Sequence, residues 1–202
     1  MFIAIVPAAG KSTRMGQPKL LLPLGDRRVI EHVLDALGES QVARVVVVLQ
    51  PGSDELRSVV SKYAKVEVAS LPAPTPDMRA SIVFGLDYAE RQCGPEPLHA
   101  FFIALADLPT LSTSVIDQLA EQFLRTSRSI IVPTFSGKRG HPALFDWKLV
   151  PQVRALPPDR GVNHLIAQLA SEVDEYPIGD AGVLEDLDTP QDYDRIRRSN
   201  RF

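Results

Sequence analysis

Short apolar runs alternate along this chain with longer segments in which apolar residues recur every three or four positions. The apolar runs are typical of β-strands and cover residues 2–6, 42–49, 66–69, 101–106, 130–133 and 173–178. The periodic segments are typical of amphipathic helices and cover roughly residues 28–37, 53–63, 78–91, 112–124, 161–169 and 189–198. This alternation predicts an α/β fold with a mostly parallel sheet and helices on both of its faces.

The length and punctuation of the chain predict one domain over residues 1–202. A chain of 202 residues can bury a full core within a single domain. Its 17 prolines lie mainly at the edges of the predicted elements, and no repeat or linker composition interrupts the alternation. Residues 136–141 have the composition of a turn.

Charge and composition narrow the classes of function. A net charge of −3 and a pI of about 5.8 argue against nucleic acid as the main partner, since binding to a phosphate backbone requires a basic surface. No apolar run approaches the length of a membrane span, and no basic leader precedes the first run. We therefore expect a cytoplasmic protein that does not associate with membranes. Cys93 is the single cysteine, which excludes an intramolecular disulfide and a cysteine metal cluster.

A polar loop that contains two glycines follows the first apolar run. Residues 8–19 have the sequence Ala-Ala-Gly-Lys-Ser-Thr-Arg-Met-Gly-Gln-Pro-Lys. Gly10 and Gly16 allow positive φ and close approach, so main-chain N–H groups can point at phosphate oxygens. Three cations of the loop can neutralise phosphate charge, namely Lys11, Arg14 and Lys19. The loop therefore predicts a site for the triphosphate of a nucleotide.

The tripeptide Gly-Lys-Ser at residues 10–12 does not belong to a P-loop. That motif requires a further glycine five residues earlier, and Ile5 stands there, inside the predicted strand. A P-loop also continues directly into a helix, whereas Pro18 and Pro23 follow here.

The loop resembles that of the MobA-like nucleotidylyltransferases, whose pattern is Ala-(Ala/Gly)-Gly-x-Ser-x-Arg-Met-Gly-x-x-Lys. The chain meets every fixed position, and the resemblance implies that these residues bind nucleotide: Ala8, Ala9, Gly10, Ser12, Arg14, Met15, Gly16 and Lys19. It also implies a Rossmann-like domain of the glycosyltransferase-A type. In that family the counterpart of Lys19 lies near the α-phosphate, and the counterpart of Arg14 holds the outer phosphates.

Two acidic positions are candidate metal ligands. Asp107 follows an apolar strand and is poised to hold Mg²⁺, which prefers oxygen ligands and bridges to substrate phosphates; a turn before Pro109 is the alternative. The segment 107–109 also resembles the family's Asp-x-Pro motif, in which the aspartate is a metal ligand. Residues 184–192 resemble a second family motif and place Asp188 on the residue that completes the metal site. The alternative is that Asp188 starts the helix that follows, and the two roles are compatible.

Three further segments resemble parts of the family that surround the base and the acceptor. Residues 78–86 match a segment whose helix N-terminus lines the nucleotide pocket, with Ser81 and Gly85 in register and Asp77 in place of a glycine. Residues 140–142, Gly-His-Pro, place His141 where the molybdenum cofactor cytidylyltransferases face their acceptor. Residues 156–165 resemble another segment of that subfamily. Asp159 and Gly161 match that segment. Pro158 and Asn163 depart from it, because they replace a glycine and an arginine.

The resemblance implies a Mg²⁺-dependent transfer of CMP from CTP to a phosphorylated acceptor, with release of pyrophosphate. It is closest to the molybdenum cofactor cytidylyltransferases, so the implied acceptor is that cofactor and the implied protein partner is a molybdoenzyme or its chaperone. Ala9 favours CTP, because guanylyltransferases of the family carry glycine there. Three alternatives stay open: GTP as the donor, a sugar or alcohol phosphate as the acceptor, and a nucleotide-binding regulator without catalysis.

Overall fold

Ten strands and seven α-helices make up the part of the chain that the structure describes, a computed structural model of residues 1–10, 12–75, 77–92, 94 and 97–199. The strands are β1 Phe2–Pro7, β2 Pro23–Leu24, β3 Arg27–Arg28, β4 Arg44–Leu49, β5 Val66–Ser70, β6 Ala100–Ile103, β7 Ile130–Phe135, β8 Lys138–Arg139, β9 Ala143–Asp146 and β10 Val173–Pro177. The helices are α1 Val29–Glu39, α2 Asp54–Val60, α3 Met78–Arg91, α4 Thr113–Arg125, α5 Val150–Ala155, α6 Val162–Gln168 and α7 Pro190–Arg198.

The central sheet has the strand order β5-β4-β1-β6-β9-β7-β10. β9 pairs antiparallel with β6 and β7, and the other pairings along this order are parallel. β8 forms a hairpin with β7, and β2 and β3 form a separate small hairpin. The predicted α/β class, with a mostly parallel sheet, is confirmed.

The alternation of side chains along β1 explains why helices cover both faces. Ala4 and Val6 share one apolar cluster with residues of α1, α2 and α4, whereas Ile3 and Ile5 share another with residues of α3, α5 and α6. Successive residues of a strand point to opposite faces, so a continuous apolar run can be buried on both sides. β1 thus lies in the middle of the core, and the loop that follows it emerges between the two layers.

Helix α3 approaches the sheet closely because Gly85 has no side chain. A Cβ at Gly85 would lie 2.8 Å from the side chain of Ile5 and 2.9 Å from that of Val48. Asp77 caps the same helix by accepting a hydrogen bond from the Ala80 N–H at 2.7 Å. Cap and glycine together fix the position of the first turn of α3 relative to β1 and β4.

The sequence missed the strands β2, β3, β8 and β9 and the helix α5, and it misplaced some ends. β9 and α5 lie in residues 143–155, where the apolar pattern is too short to show a period, and the β2–β3 hairpin is shorter still. The strand predicted over 101–106 ends at Ile103, and the helix predicted over 53–63 ends at Val60. The predicted turn at 136–141 contains the β7–β8 connection, where Ser136 and Gly137 have φ of 50° and 74°.

Candidate active site

The loop that follows β1 lies at the carboxyl end of the sheet. Ala8 continues the strand pairing, because its N–H donates to the Val48 carbonyl at 2.9 Å. Ser12 has a φ of 49°, and its hydroxyl accepts a hydrogen bond from the Lys19 N–H at 3.3 Å, which closes the loop. Gly16 has a φ of 66°, a conformation that favours glycine. Lys11 lies outside the described residues.

Met15 anchors the loop from below. Its buried side chain packs in a small apolar cluster with Leu24, Val29, Leu187 and Ile196. Met15 is not among the described residues that line the cavity beside the loop. The methionine of the motif therefore holds the loop on the C-terminal segment, and Gly16 likewise lies away from this cavity, on the other side of the loop.

A cavity of about 490 Å³ opens between the loop, the end of β6 and the start of α3. Its walls include most of the residues predicted to bind nucleotide or metal. The predicted residues that line it are Ala8, Ala9, Gly10, Ser12, Arg14, Lys19, Ser81, Asp107 and Asp188. The structure thus brings together residues that are up to 180 positions apart in the chain, at the sheet edge where α/β folds bind ligands.

Four charged side chains meet at one end of this cavity. The Lys19 ammonium contacts the Asp107 carboxylate and lies 2.9 Å from Asp188 Oδ1, and the Arg14 guanidinium lies 2.9 Å from Asp188 Oδ2. Burial alone would lower the pKa of the Lys19 ammonium, but the carboxylates of Asp107 and Asp188 outweigh burial and raise it above its ordinary value. Lys19 is therefore a cation held against two anions.

The C-terminal segment reaches the site through a backbone contact. The Leu187 N–H donates to the Asp107 carbonyl at 2.9 Å, which places the next residue, Asp188, beside the strand tip. The alternative that Asp188 starts α7 as its cap is wrong. Thr189 is the cap, and it exchanges hydrogen bonds with Asp192 in a capping box. Because Thr189 does this work, the Asp188 carboxylate is left to pair with Lys19 and Arg14.

His141 lies close enough to Asp186 and Asp107 to interact with their charges. Burial is the main reason that its pKa is lowered, against the opposing charges of Asp186 and Asp107. Burial, followed by the negative charges of Asp188 and Asp107, raises the pKa of Asp186. Nδ1 of His141 is buried and has no hydrogen-bond partner within the described ranges. His141 itself does not line the cavity as described.

The preceding glycine explains how this loop is held. A Cβ at Gly140 would lie 2.5 Å from the Val183 carbonyl oxygen. The His141 N–H donates to that same oxygen at 2.8 Å. Only glycine therefore allows the loop to pair with Val183 at this distance.

Two residues predicted to bind the acceptor lie elsewhere. Asp159 and Gly161 are in the connection between α5 and α6, and neither lines the cavity as described. Asp159 is exposed and lies 3.5 Å from its neighbour Arg160. Their role in acceptor binding stays a prediction, and it would require an acceptor that extends beyond the cavity.

Another part of the cavity wall, which we call the neutral end, is formed by the first turn of α3 and by the residues that follow β6. Ser81 is buried, and Met78 is 54% exposed, which is unusual for a methionine. Leu105 and Ala106 complete this wall. No lysine or arginine lies on it among the described residues, so this end is nearly neutral apart from the Asp77 carboxylate.

Gln50 was missed by the sequence analysis. Its Nε2 donates to the Ala9 carbonyl at 2.6 Å, so it supports the loop directly. The available signal was its position immediately after the apolar run 42–49, at the end of a predicted strand.

Two features are absent from the described residues. No group of three or more His, Cys, Asp or Glu side chains there is arranged to hold a metal ion. No helix there has both the length and the apolar composition that crossing a bilayer requires.

Fold and site together are those of a nucleotidyltransferase. The MobA-like NTP transferase domain matches residues 4–173, and the chain belongs to this family. It is 33% identical to the purine catabolism protein PucB of Bacillus subtilis, over 98% of this chain and 96% of PucB. It is 29% identical to a protein of Mycobacterium bovis named "Probable molybdenum cofactor guanylyltransferase", over 64% of this chain and 60% of that protein.

A solved structure agrees over the whole chain. Rv0371c of Mycobacterium tuberculosis superimposes with a TM-score of 0.82 at 25% identity, covering 98% of this chain and all of that one. The same protein has also been crystallised in complex with manganese.

Proposed function

We propose that this protein transfers CMP from CTP to a phosphorylated acceptor of the molybdopterin or molybdenum cofactor type, with Mg²⁺ and with release of pyrophosphate. The observation that carries the proposal is the meeting of Lys19 with two carboxylates at one end of a cavity whose floor is the glycine-containing loop. An acceptor phosphate oxygen attacks the α-phosphorus, and the bond from that phosphorus to the β-phosphate oxygen breaks. No proton needs to move, since the acceptor phosphate is already an anion.

The chemistry of the two carboxylates fits a divalent cation. Both contact the same Lys19 nitrogen, so one point in the site lies within reach of both. Mg²⁺ is commonly held by one or two carboxylates together with substrate phosphates, and a larger protein cage is not needed. Asp107 and Asp188 would hold the ion, which when bound neutralises phosphate charge and orients the reacting groups. The manganese complex of Rv0371c is consistent with a divalent ion in the family.

Lys19 and Arg14 would bind the triphosphate. Lys19 is largely shielded from solvent, and a cation in such a place stabilises charge that develops on the α-phosphate. Arg14 is 70% exposed, as suits a residue that closes on the outer phosphates when nucleotide enters. Catalysis would then rest on placement and electrostatics.

The neutral end would take the base and lead to the acceptor. Ala9 and Ser81 both line the cavity. Ala9 favours CTP, because guanylyltransferases of the family carry glycine there. GTP is the second candidate donor, because the Mycobacterium bovis relative is named a guanylyltransferase. We propose that His141, Asp159 and Gly161 contact an acceptor that projects beyond the cavity. We also propose that the whole chain is one functional domain, which delivers its product to a molybdoenzyme or its chaperone.

The proposal is tested by melting the protein with CTP, GTP, ATP or UTP, each with and without Mg²⁺. A ligand at 100 times its Kd stabilises by about 2.7 kcal/mol, which for a domain of this size raises Tm by roughly 5–10 °C. A Mg²⁺-dependent rise that is largest with CTP supports the proposal. A larger rise with GTP would leave the proposed class of enzyme standing and overturn the role of Ala9. No rise in Tm with any nucleotide would contradict nucleotide binding.

A further inference from the structure

The peptide group between Ala9 and Gly10 is fixed from outside the loop. Gln50 directly follows β4, and its Nε2 donates to the Ala9 carbonyl at 2.6 Å. The residue before is fixed too, since the Ala8 N–H donates to Val48. The loop therefore leaves the sheet with the Ala8 N–H held by β4 and the direction of the Ala9 carbonyl set by the Gln50 side chain.

The direction of this carbonyl determines the direction of the next N–H. In a trans peptide the C=O and N–H bonds point in opposite directions. With the Ala9 carbonyl turned towards Gln50, the Gly10 N–H points away from Gln50. Gly10 borders two cavities, one on each side of the loop, and Gln50 lines only the one that lacks Lys19 and Asp107. The Gly10 N–H makes no hydrogen bond within the part of the chain that is described.

We propose that Gln50 is a positioning residue that keeps the Gly10 N–H turned towards the triphosphate. This inference rests on the proposed function. Phosphate oxygens only accept hydrogen bonds, so an N–H attracts them and a carbonyl in its place repels them. Rotation of the Ala9–Gly10 peptide would exchange the two groups, and glycine permits such a rotation readily. The Gln50 amide prevents it by holding the carbonyl.

The other end of the Gln50 amide supports the same view. Only its nitrogen can donate to a carbonyl, so the orientation of the amide is fixed by Ala9. This leaves Oε1 buried, with no hydrogen-bond partner among the described residues. Buried polar atoms without partners are uncommon. A methionine at this position would fill a similar space and would carry no such atom. The contacts of the Gln50 side chain therefore explain one role for it, the donation of a hydrogen bond to the Ala9 carbonyl.

Two substitutions separate the donor from the shape of the side chain. Gln50→Met keeps the length and removes the donor, and also removes the unpartnered oxygen, so the fold is expected to persist. Gln50→Glu places a carboxylate against the Ala9 carbonyl, which favours rotation of the peptide. The matched control is Gln152→Met, because Gln152 is an exposed glutamine of α5 that lines neither of the two cavities.

Binding of CTP and of inorganic tripolyphosphate is measured with Mg²⁺ by calorimetry, after ligand-free melting has shown that each variant is folded. We expect Kd to rise about tenfold in Gln50→Met and further in Gln50→Glu, as for the loss of a hydrogen bond to a charged group. The rise should be equal for both ligands, because it acts on phosphate and not on the base, and Gln152→Met should bind as the wild type does.

Wild-type affinity in both Gln50 variants overturns the inference and leaves the proposed function standing. A loss confined to CTP, or an equal loss in Gln152→Met, also overturns it. If the wild type itself binds neither ligand, the proposed function fails, and the inference fails with it.

Discussion

The two ends of the cavity are built in different ways. One end consists of charged side chains that are cross-linked by ion pairs, with Lys19 between Asp107 and Asp188. The other consists of small or apolar groups around Met78 and Ser81, held in place by the packing of α3 on the sheet. The charged end suits the part of a substrate common to all nucleotides, and the neutral end suits the part that differs. Chemistry and selectivity are therefore expected to respond to different substitutions.

The largest effect is expected at the charged end. Lys19→Met removes the cation that faces the developing charge, and turnover should fall by roughly 100-fold or more. Pyrophosphate release is the measurement. Lys148→Met is the matched control, since Lys148 is exposed, pairs with Asp146 and lies outside the cavity. Near-normal turnover in Lys19→Met would place the chemistry elsewhere.

A middle-sized effect is expected from the packing that supports the neutral end. Gly85→Ala puts a methyl group within 2.8 Å of Ile5 and should destabilise the fold by about 1–3 kcal/mol. Because α3 carries Met78 and Ser81, the preference among nucleotides should weaken as well, while Mg²⁺ affinity stays unchanged.

The control for this change is another helical glycine. Gly38 lies in α1, and a Cβ there meets nothing within 4 Å. Gly38→Ala should therefore raise stability by about 0.4–1 kcal/mol. Melting temperatures of the two variants decide the point, and a drop of equal size in both would refute the packing argument.

The smallest effect is expected at the cap that frees Asp188. Hydrogen bonding from the Thr189 side chain is the main cause of the lowered pKa of Asp192, so its carboxylate is favoured in the folded state. A lowered folded-state pKa gives stability that is present above the ordinary pKa of the group and is lost as pH falls towards the folded value. Asp192→Ala should therefore lower Tm at neutral pH, and the difference from wild type should shrink near pH 3. A constant difference across this range would contradict the assignment.

The two ends also differ in how far the sequence predicts them. The loop and Asp107 were predicted from their residue types and positions, and Asp188 from its resemblance to a family motif; their roles in binding stay predictions. The structure adds what the pattern could not contain: that Met15 is an anchor, that Thr189 and not Asp188 caps α7, and that Gln50 holds Ala9. These depend on contacts between elements far apart in the chain.

The fold was predicted less evenly. The parallel strands were found because burial on both faces produces long apolar runs. β9 was missed because four residues inserted antiparallel between β6 and β7 leave no period to detect. The same region, between the end of β8 and α6, contains the predicted acceptor residues Asp159 and Gly161, which the structure places away from the cavity.

We propose that Asp107 and Asp188 form a metal site, for which the Lys19 ammonium competes in the absence of nucleotide. Electron paramagnetic resonance of Mn²⁺ without nucleotide tests it directly, in wild type, Lys19→Met and Asp107→Asn. Loss of the competing ammonium should make Lys19→Met bind Mn²⁺ more tightly than wild type does, and loss of a carboxylate should make Asp107→Asn bind it more weakly. Unchanged or weaker binding in Lys19→Met, or undiminished binding in Asp107→Asn, would contradict the account.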